Sequence, residues 1–308
     1  MNLVMTLLVR DESDIVRQNI AYHLKAGVEH IIATDNGSVD GTREVLSEYE
    51  RMGVLTLIDE PGRDFAQARW VSRMALLAAT RFGAEWVLNN DADEFWVHPG
   101  GDLRAVISGV AADMLQCSRI HLFYAHDQEG AGPWQERVRH RSAVPKRQWV
   151  MTDPLTDPLP VPFLMLHAPA KAILRTGGLT GVGQGNHEGF YDRPVIAAPA
   201  NIEILHVPIR SARQFETKIM QGGEAYQRNR DQPDKIGWHW RRWYSQTRQD
   251  GVTAALRDAL PSRARLAKGV ATGAIVEDRR LLNMLAGPAA SWRGLFSRAR
   301  RRSARFDR

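Results

Sequence analysis

The stretch Trp86-Val87-Leu88-Asn89-Asn90-Asp91-Ala92-Asp93-Glu94-Phe95-Trp96 joins a short apolar run to three carboxylates. The run at 86–88 has the length and apolar character of a buried strand. Alternate side chains of an extended strand share one side, so Asp91 and Asp93 would point the same way. Two carboxylates held together repel each other unless a cation lies between them, and hard oxygen ligands suit Mg²⁺ or Mn²⁺. The stretch therefore predicts a divalent metal site, with a solvated acidic turn as the alternative.

The rest of the first half alternates strand and helix patterns around this stretch. Strands are expected at 5–9, 31–34, 54–58 and 86–88, and helices at 14–26, 42–52 and 65–82. This alternation predicts an α/β fold with a mostly parallel sheet, in which ligands bind at the carboxyl ends of the strands. Proline and glycine become frequent after about residue 125, which indicates a smaller antiparallel part. A helix is expected at 211–228, and an all-helical extension at 231–292.

Composition excludes several classes of protein. The chain has 308 residues and is 44% hydrophobic, enough for a sizeable core. No apolar run approaches the roughly 18 residues of a membrane-spanning helix, and the N-terminus has the pattern of a first strand rather than of a signal peptide. The single cysteine, Cys117, excludes an intrachain disulfide and a cysteine-rich zinc site, and its apolar neighbours favour a buried structural thiol.

The positive charge is concentrated at the C-terminus. The net charge is +6, and residues 293–308 alone carry seven arginines and one aspartate. The rest of the chain is therefore close to neutral, which does not indicate a nucleic-acid-binding body. The tail mixes these arginines with Leu295, Phe296 and Phe306, so it is interpreted as a disordered basic tail or as a peripheral contact to an anionic membrane.

Charged residues also follow the other predicted strands. Arg10 and Glu12 come after the first strand, where they could contact a nucleotide or cap the next helix. Asp35 opens a turn-rich segment after the second strand, and it could accept hydrogen bonds from a nucleobase or ribose or form an Asx-turn. Arg69 lies near the start of the third helix, where its guanidinium could reach a phosphate or remain on the surface.

Taken together, these motifs resemble those of the glycosyltransferase family 2-like proteins, which have the GT-A fold. The extended form of the acidic motif looks like that of the subgroup with an Asp-x-Asp-Glu-Phe motif, which is related to family 92. The resemblance covers roughly 2–230 and rests on these segments: Asp11-Glu12, Tyr22-His23, 35–42, 91–95, 171–175, 185–189 and 204–218.

The resemblance implies transfer of a sugar from a nucleotide-sugar donor, most often a UDP- or GDP-sugar, to an acceptor hydroxyl. It implies a hexosyltransferase-like, inverting enzyme that uses Mn²⁺ or Mg²⁺. The acceptor would be a glycan or glycoconjugate of the bacterial surface, and the enzyme would work in the cytoplasm or peripherally at the inner face of the membrane.

The resemblance also implies roles for individual residues. Metal ligands would be Asp93, Asp91 and His206, with Asp91 alternatively at the ribose, while Glu94 would anchor the loop. Asp35 would contact the base, and Glu188 would be the general base unless His187 contacts the acceptor instead. The remaining donor contacts are expected from Arg10, Glu12, Arg69, Lys171 and Arg175.

Two other functions remain open at this point. A metal-dependent nucleotidyltransferase also uses paired carboxylates on an α/β domain, but it usually carries a glycine-rich basic loop after the first strand, where this chain has Arg10-Asp11-Glu12. A non-catalytic carbohydrate- or partner-binding module on a GT-A scaffold is disfavoured because the chain keeps the acids of 91–94 and has both His187 and His206. A dehydrogenase is disfavoured because no G-x-G-x-x-G follows the first strand.

Overall fold

The computed structural model describes residues 2–62, 66–128, 132–147, 149–228 and 237–286. The strands are β1 Leu3–Val9, β2 His30–Asp35, β3 Leu55–Asp59, β4 Trp86–Asp91, β5 Glu94–Val97, β6 Met114–His121, β7 His140–Ser142, β8 Ala168–Arg175, β9 Leu179–Val182, β10 Gly189–Tyr191, β11 Ala197–His206 and β12 Ile275–Glu277. The α-helices are α1 Val16–Lys25, α2 Thr42–Arg51, α3 Gln67–Phe82, α4 Arg104–Ile107, α5 Trp134–Arg137, α6 Ala212–Arg228, α7 Trp238–Asp250, α8 Val252–Ala259, α9 Arg263–Ala271 and α10 Arg280–Leu285.

Eight strands form the main sheet, in the order β3-β2-β1-β4-β8-β6-β11-β5. The strands β3, β2, β1 and β4 pair in parallel, and β6 pairs in parallel with β11. The strands β8 and β5 run the opposite way. The predicted α/β fold with a mostly parallel sheet and a smaller antiparallel part is confirmed. The ends of β1, β2 and β4 lie together, and we call this side of the sheet the carboxyl edge.

Both faces of the sheet are covered, which explains the nearly continuous apolar runs of its strands. Successive side chains of β1 alternate between two cores. Met5 packs in the larger core with Ile20 of α1 and Leu46 of α2. Val4 packs in the smaller core with Met74 of α3.

The helices between residues 238 and 285 contribute side chains to the same core as the sheet. Trp243 of α7, Leu256 of α8 and Leu281 of α10 belong to the larger core. The expectation of an all-helical extension was wrong in one respect, because Ile275–Glu277 forms strand β12, which pairs with β7. A three-residue strand is too short to show a period in the sequence.

The basic tail at 293–308 lies outside the described residues, so its predicted membrane contact stays a prediction. In the described part of the chain, no helix has both the length and the apolar character needed to cross a membrane.

Candidate active site

Three carboxylates lie at the carboxyl edge, where the chain turns from β4 into β5. Asp91 ends β4 and Glu94 begins β5, with Ala92 and Asp93 in the turn between them. The Asp91 side chain is 32% exposed, whereas those of Asp93 and Glu94 are 6% and 0% exposed. Asp91 is therefore the most accessible of the three carboxylates.

Helix α1 holds this turn through its buried polar side chains. The Asn19 amide donates to the carbonyl oxygens of Ala92 (3.0 Å) and Glu94 (2.7 Å). The Tyr22 hydroxyl donates to the Trp96 carbonyl (2.9 Å), and the Trp96 amide donates to His23 Nε2 (3.3 Å). The Tyr22-His23 pair of the family resemblance thus fixes the backbone of β5.

Lys171 of β8 forms ion pairs with two of the carboxylates. Its ammonium lies 2.6 Å from Asp91 Oδ2 and 2.6 Å from Glu94 Oε2, and its side chain is 1% exposed. Arg119 of β6 lies 3.1 Å from the other oxygen of Glu94. Burial would raise the pKa of Glu94, but the charges of Lys171 and Arg119 outweigh it and hold this pKa below its usual value. Glu94 therefore stays ionised and anchors the turn, as the resemblance implied.

Lys218 of α6 pairs with the third carboxylate of the turn. Its ammonium lies 2.7 Å from Asp93 Oδ2 and 2.7 Å from Glu12 Oε1. Glu12 also pairs with Arg210, whose guanidinium contacts Asp14 as well. Burial would raise the pKa of Asp93, yet the charge of Lys218, with His206 and Arg210, holds it well below its usual value. Glu12, predicted as a nucleotide contact, has its carboxylate engaged by these two cations.

His206 ends β11 beside Asp93. Its Nε2 lies 3.6 Å from Asp93 Oδ2, and its Nδ1 lies 2.9 Å from Nδ1 of His121, the last residue of β6. One of the two Nδ1 atoms donates and the other accepts. Burial lowers the pKa of His121 well below its usual value, so at neutral pH this ring carries a single N–H.

The described residues do not by themselves supply a complete ligand set for a divalent cation. In the described part of the chain, no three His, Cys, Asp or Glu side chains are arranged to hold a metal. Asp93 and His206 form a pair, and Lys218 occupies the same Asp93 oxygen. Mg²⁺ is commonly bound through one or two carboxylates plus substrate phosphates. The residues thus fit a cation that arrives with phosphate ligands, once Lys218 leaves Oδ2.

The charge balance of the network leaves room for such a cation. Its members are the carboxylates Glu12, Asp14, Asp91, Asp93 and Glu94 and the cations Arg119, Lys171, Arg210 and Lys218. Five acids against four bases leave these nine side chains with a formal charge of −1.

A loop rich in glycine, residues 183–189, brings Asn186 next to Asp91. The Asn186 amide points to Asp91 Oδ1 at 3.4 Å. His187 Nδ1 donates to the Ala170 carbonyl (2.7 Å), and burial lowers the pKa of this ring. Glu188 is exposed; its carbonyl accepts from the Gly183 amide (2.9 Å), but among the described residues its carboxylate has no hydrogen bond or ion pair. Of the two predicted catalytic residues, His187 is held by its contact with Ala170, whereas the carboxylate of Glu188 is available to act as a base.

The predicted base contact, Asp35, is buried and engaged within its own turn. Its Oδ1 accepts hydrogen bonds from the Ser38 amide (3.1 Å) and hydroxyl (2.5 Å), and Arg43 lies 3.3 Å from Oδ2. This is the turn geometry that the sequence left open as the alternative. Arg10 follows β1 at the carboxyl edge with 34% of its side chain exposed, and Arg69 lies in the first turn of α3.

The prediction that Arg175 contacts the diphosphate was wrong. Arg175 pairs with Trp86, at the start of β4, because β8 runs antiparallel to β4. Its guanidinium donates to the Ala112 and Val110 carbonyls and lies 4.4 Å from the centre of the Trp86 ring. It therefore lies at the edge of the sheet opposite to Asp91.

Several residues of the candidate site had no role assigned from the sequence. Lys218 and Arg210 follow His206 at spacings of twelve and four residues, within the segment that carries the resemblance, and this spacing is the one available signal. For the others, no motif marks the position, and only the pairing of the strands and helices brings them to the site: Asn19, Arg119 and His121.

One family model matches the first part of the chain. A family model described as glycosyltransferase family 92 matches residues 5–141, which are 137 of the 308 residues. The match includes the turn between β4 and β5 that carries Asp91, Asp93 and Glu94, which we call the carboxylate turn. It supports a glycosyltransferase. No curated protein matches the chain.

The solved structures that match this chain are distant from it in sequence and in structure. Residues 1–349 of S. aureus TarS in complex with UDP are 12% identical, covering 92% of this chain and 89% of that one, with a TM-score of 0.36. The complex of TarS with UDP-GlcNAc is 13% identical, covering 98% and 92%, with a TM-score of 0.36. A mycobacterial protein is 20% identical over 39% of this chain and 41% of its own, with a TM-score of 0.28.

Proposed function

We propose that this protein transfers a sugar from a nucleotide-sugar donor to an acceptor hydroxyl. The observation that carries the proposal is the group formed by Asp91, Asp93 and His206 at the carboxyl edge of a mostly parallel sheet, where such sheets bind ligands. The match of residues 5–141 to a glycosyltransferase family supports it independently.

Asp93 and His206 would hold a Mn²⁺ or Mg²⁺ ion, which would stabilise the charge that develops on the nucleoside diphosphate. Asp91, as the accessible carboxylate of the turn, would contact the ribose or share the ion. Lys171 would hold Asp91 in place rather than contact the diphosphate, because its ammonium is enclosed between the carboxylates of Asp91 and Glu94. Arg10 and Arg69 are the cations proposed for the phosphates.

Glu188 is the proposed general base. A base must be close to the proton that it removes, and it must have a free lone pair. The exposed carboxylate of Glu188 follows Asn186, whose amide points to Asp91, so the loop carries it to the same site. A base that acts on the acceptor opposite the leaving group gives inversion at the anomeric carbon.

The finer assignments follow the family resemblance. We propose a UDP- or GDP-hexose as donor and a bacterial surface glycan or glycoconjugate as acceptor, with the reaction at the inner face of the membrane. Asp35 is proposed to contact the nucleotide through its turn, since its two carboxylate oxygens are engaged by Ser38 and Arg43.

A thermal-shift screen of UDP, GDP, CMP and dTDP, each with and without Mn²⁺, tests the donor class. A ligand that binds only the folded state stabilises it by about 2.7 kcal/mol at one hundred times its Kd, so one nucleotide should raise Tm clearly. Asp91→Asn should reduce this shift, whereas Asp102→Asn, on the surface before α4, should keep it. No shift with any nucleotide would contradict the proposal and favour a binding module.

Release of nucleoside diphosphate then tests the base. Glu188→Gln should lower kcat by about 10²-fold or more while leaving donor affinity close to that of the wild type. The neighbouring exposed Asp192→Asn is the control. A normal rate in Glu188→Gln would exclude this residue as the base.

A further inference from the structure

Two valines on one loop are almost fully exposed. Val150 is 97% exposed and Val144 is 84% exposed. The same loop presents the exposed cations Lys146 and Arg147, and the half-buried Trp149. We call these five residues the loop surface. Single exposed apolar residues are common on proteins, but here two exposed valines flank two exposed cations within seven residues, so the loop presents apolar and cationic side chains together.

The first part of this loop, residues 143–146, is held in place by backbone hydrogen bonds to the body of the protein. The Ala143 amide donates to the Ala274 carbonyl (2.9 Å), just before β12. The Lys146 amide donates to the Met165 carbonyl (3.1 Å), and the His167 amide donates to the Lys146 carbonyl (2.9 Å). Val144 lies between these anchored positions, so its exposure is imposed by the fold.

The loop surface lies at the same end of the sheet as the carboxylates. The backbone of Lys146 forms an isolated parallel β-bridge with Leu166, which lies two residues before the start of β8. Lys171 lies five residues beyond Leu166 and contacts Asp91. At about 3.3 Å per residue, the chain from Leu166 to Lys171 spans roughly 17 Å at most. The loop surface and the carboxyl edge can therefore face the same partner surface.

The charges of the loop surface are available to a partner. Nearby Arg139 and Arg141 are paired with Glu277 and Asp278. Within the described residues, neither Lys146 nor Arg147 forms an ion pair. Basic side chains are attracted to anionic headgroups, and valine and tryptophan gain free energy by entering the headgroup and acyl boundary. A nucleic acid would use the cations but would offer the valines no apolar phase.

We propose that the loop surface docks on an anionic lipid bilayer, with Val144 and Val150 inserted and Lys146 and Arg147 at the headgroups. This docking is distinct from the contact predicted for the basic tail. It does not rest on the proposed transferase activity. It would place the carboxyl edge of the sheet toward the membrane.

A fluorophore at position 150 tests the proposal in the full-length chain. Cys117 is buried, so Val150→Cys can be labelled selectively with the environment-sensitive dye NBD. The matched control is Val270→Cys on α9, which is 47% exposed. Vesicles of phosphatidylcholine with phosphatidylglycerol should shift the emission at position 150 to the blue and increase it, with no change at position 270. Vesicles of phosphatidylcholine alone should give no shift at either position.

Removing the cations should weaken the effect. In the labelled chain, Lys146→Gln with Arg147→Gln should raise the lipid concentration for half-maximal shift, by about five-fold for each charge lost. Three results would overturn the proposal: vesicle binding without a shift at position 150, which would leave the tail as the contact; equal shifts at positions 150 and 270; or equal shifts with neutral and anionic vesicles, which would remove the headgroup role.

Discussion

Lys218 Nζ lies 2.7 Å from Asp93 Oδ2, although 125 residues separate the two in the chain. This contact ties α6 to the turn between β4 and β5. Since Lys218 also contacts Glu12 after β1, the lysine joins three segments of the candidate site. The second half of the chain therefore contributes directly to the state of the carboxylate turn.

Replacing Lys218 by methionine should destabilise the protein and its site. Asp93 and Glu12 would lose a shared counter-charge, which is costly for buried carboxylates. Because Lys218 is 23% exposed and both acids keep another basic partner, we expect a loss of about 1–3 kcal/mol in the free energy of unfolding. Urea unfolding measures this, with the exposed Lys25→Met at the end of α1 as control. Equal stability of the two variants would show that the contact contributes little.

Asn19→Ala should remove the hydrogen bonds that hold the carboxylate turn to α1. The substitution leaves the Ala92 and Glu94 carbonyls without their donor, in a fully buried position. Each unsatisfied group costs about 1–3 kcal/mol, so the free energy of unfolding should fall by about 2–4 kcal/mol. Gln18→Ala, on the same helix, should change it by no more than about 0.5 kcal/mol. A similar small change in Asn19→Ala would contradict the assigned role of Asn19.

Gly223→Ala should be destabilising, although alanine favours helices over glycine. A Cβ at position 223 would lie 2.3 Å from the Tyr244 ring, where α6 and α7 approach closely. Overpacking of this kind costs about 1–3 kcal/mol. Gly177→Ala is the matched control, because a Cβ there meets no atom within 4 Å. Thermal unfolding of both variants decides the point. A rise in Tm for Gly223→Ala would show that α7 can move away at no cost.

Acid should destabilise the protein through His23. Burial lowers the pKa of this histidine from 6.5 to about 4. The unfolded chain therefore binds a proton between these values while the folded chain does not. The contribution of His23 is present in full above pH 6.5 and is lost as the pH falls toward 4, by about 3 kcal/mol at most.

The variant His23→Gln should reduce this dependence on pH. Glutamine does not titrate, so the slope of the free energy of unfolding between pH 6.5 and 4 should become shallower. Urea unfolding at several pH values measures the slope. An unchanged slope in the variant would assign the acid sensitivity to other groups.

The alternating half of the fold could be predicted from the sequence, because each parallel strand there is followed by its own helix. The carboxylates were placed correctly for the same reason, since Asp91 ends a strand whose direction the alternation fixes. Arg175 was misplaced because the direction of β8 depends on its pairing with β4 and β6, which no local pattern encodes.

The partners of the site residues could not be predicted from the sequence. Asp91 and Asp93 suggested a shared cation, yet each has its own lysine, supplied by β8 and by α6. Asp35 was assigned to a ligand because its position after a strand gave no sign of Ser38 and Arg43 as its partners. Such contacts depend on the tertiary fold, so local spacing carries little information about them.

The most direct test of the proposed function is the release of nucleoside diphosphate from UDP- and GDP-sugars by the wild-type protein and by Asp93→Asn, with Asp102→Asn as control. The substitution keeps the size of the side chain but removes the charge that faces Lys218 and His206. We expect turnover by the wild type and by Asp102→Asn, and a loss of about 100-fold or more in Asp93→Asn. Turnover by Asp93→Asn at the wild-type rate, or no turnover of any such donor by the wild type, would contradict the account.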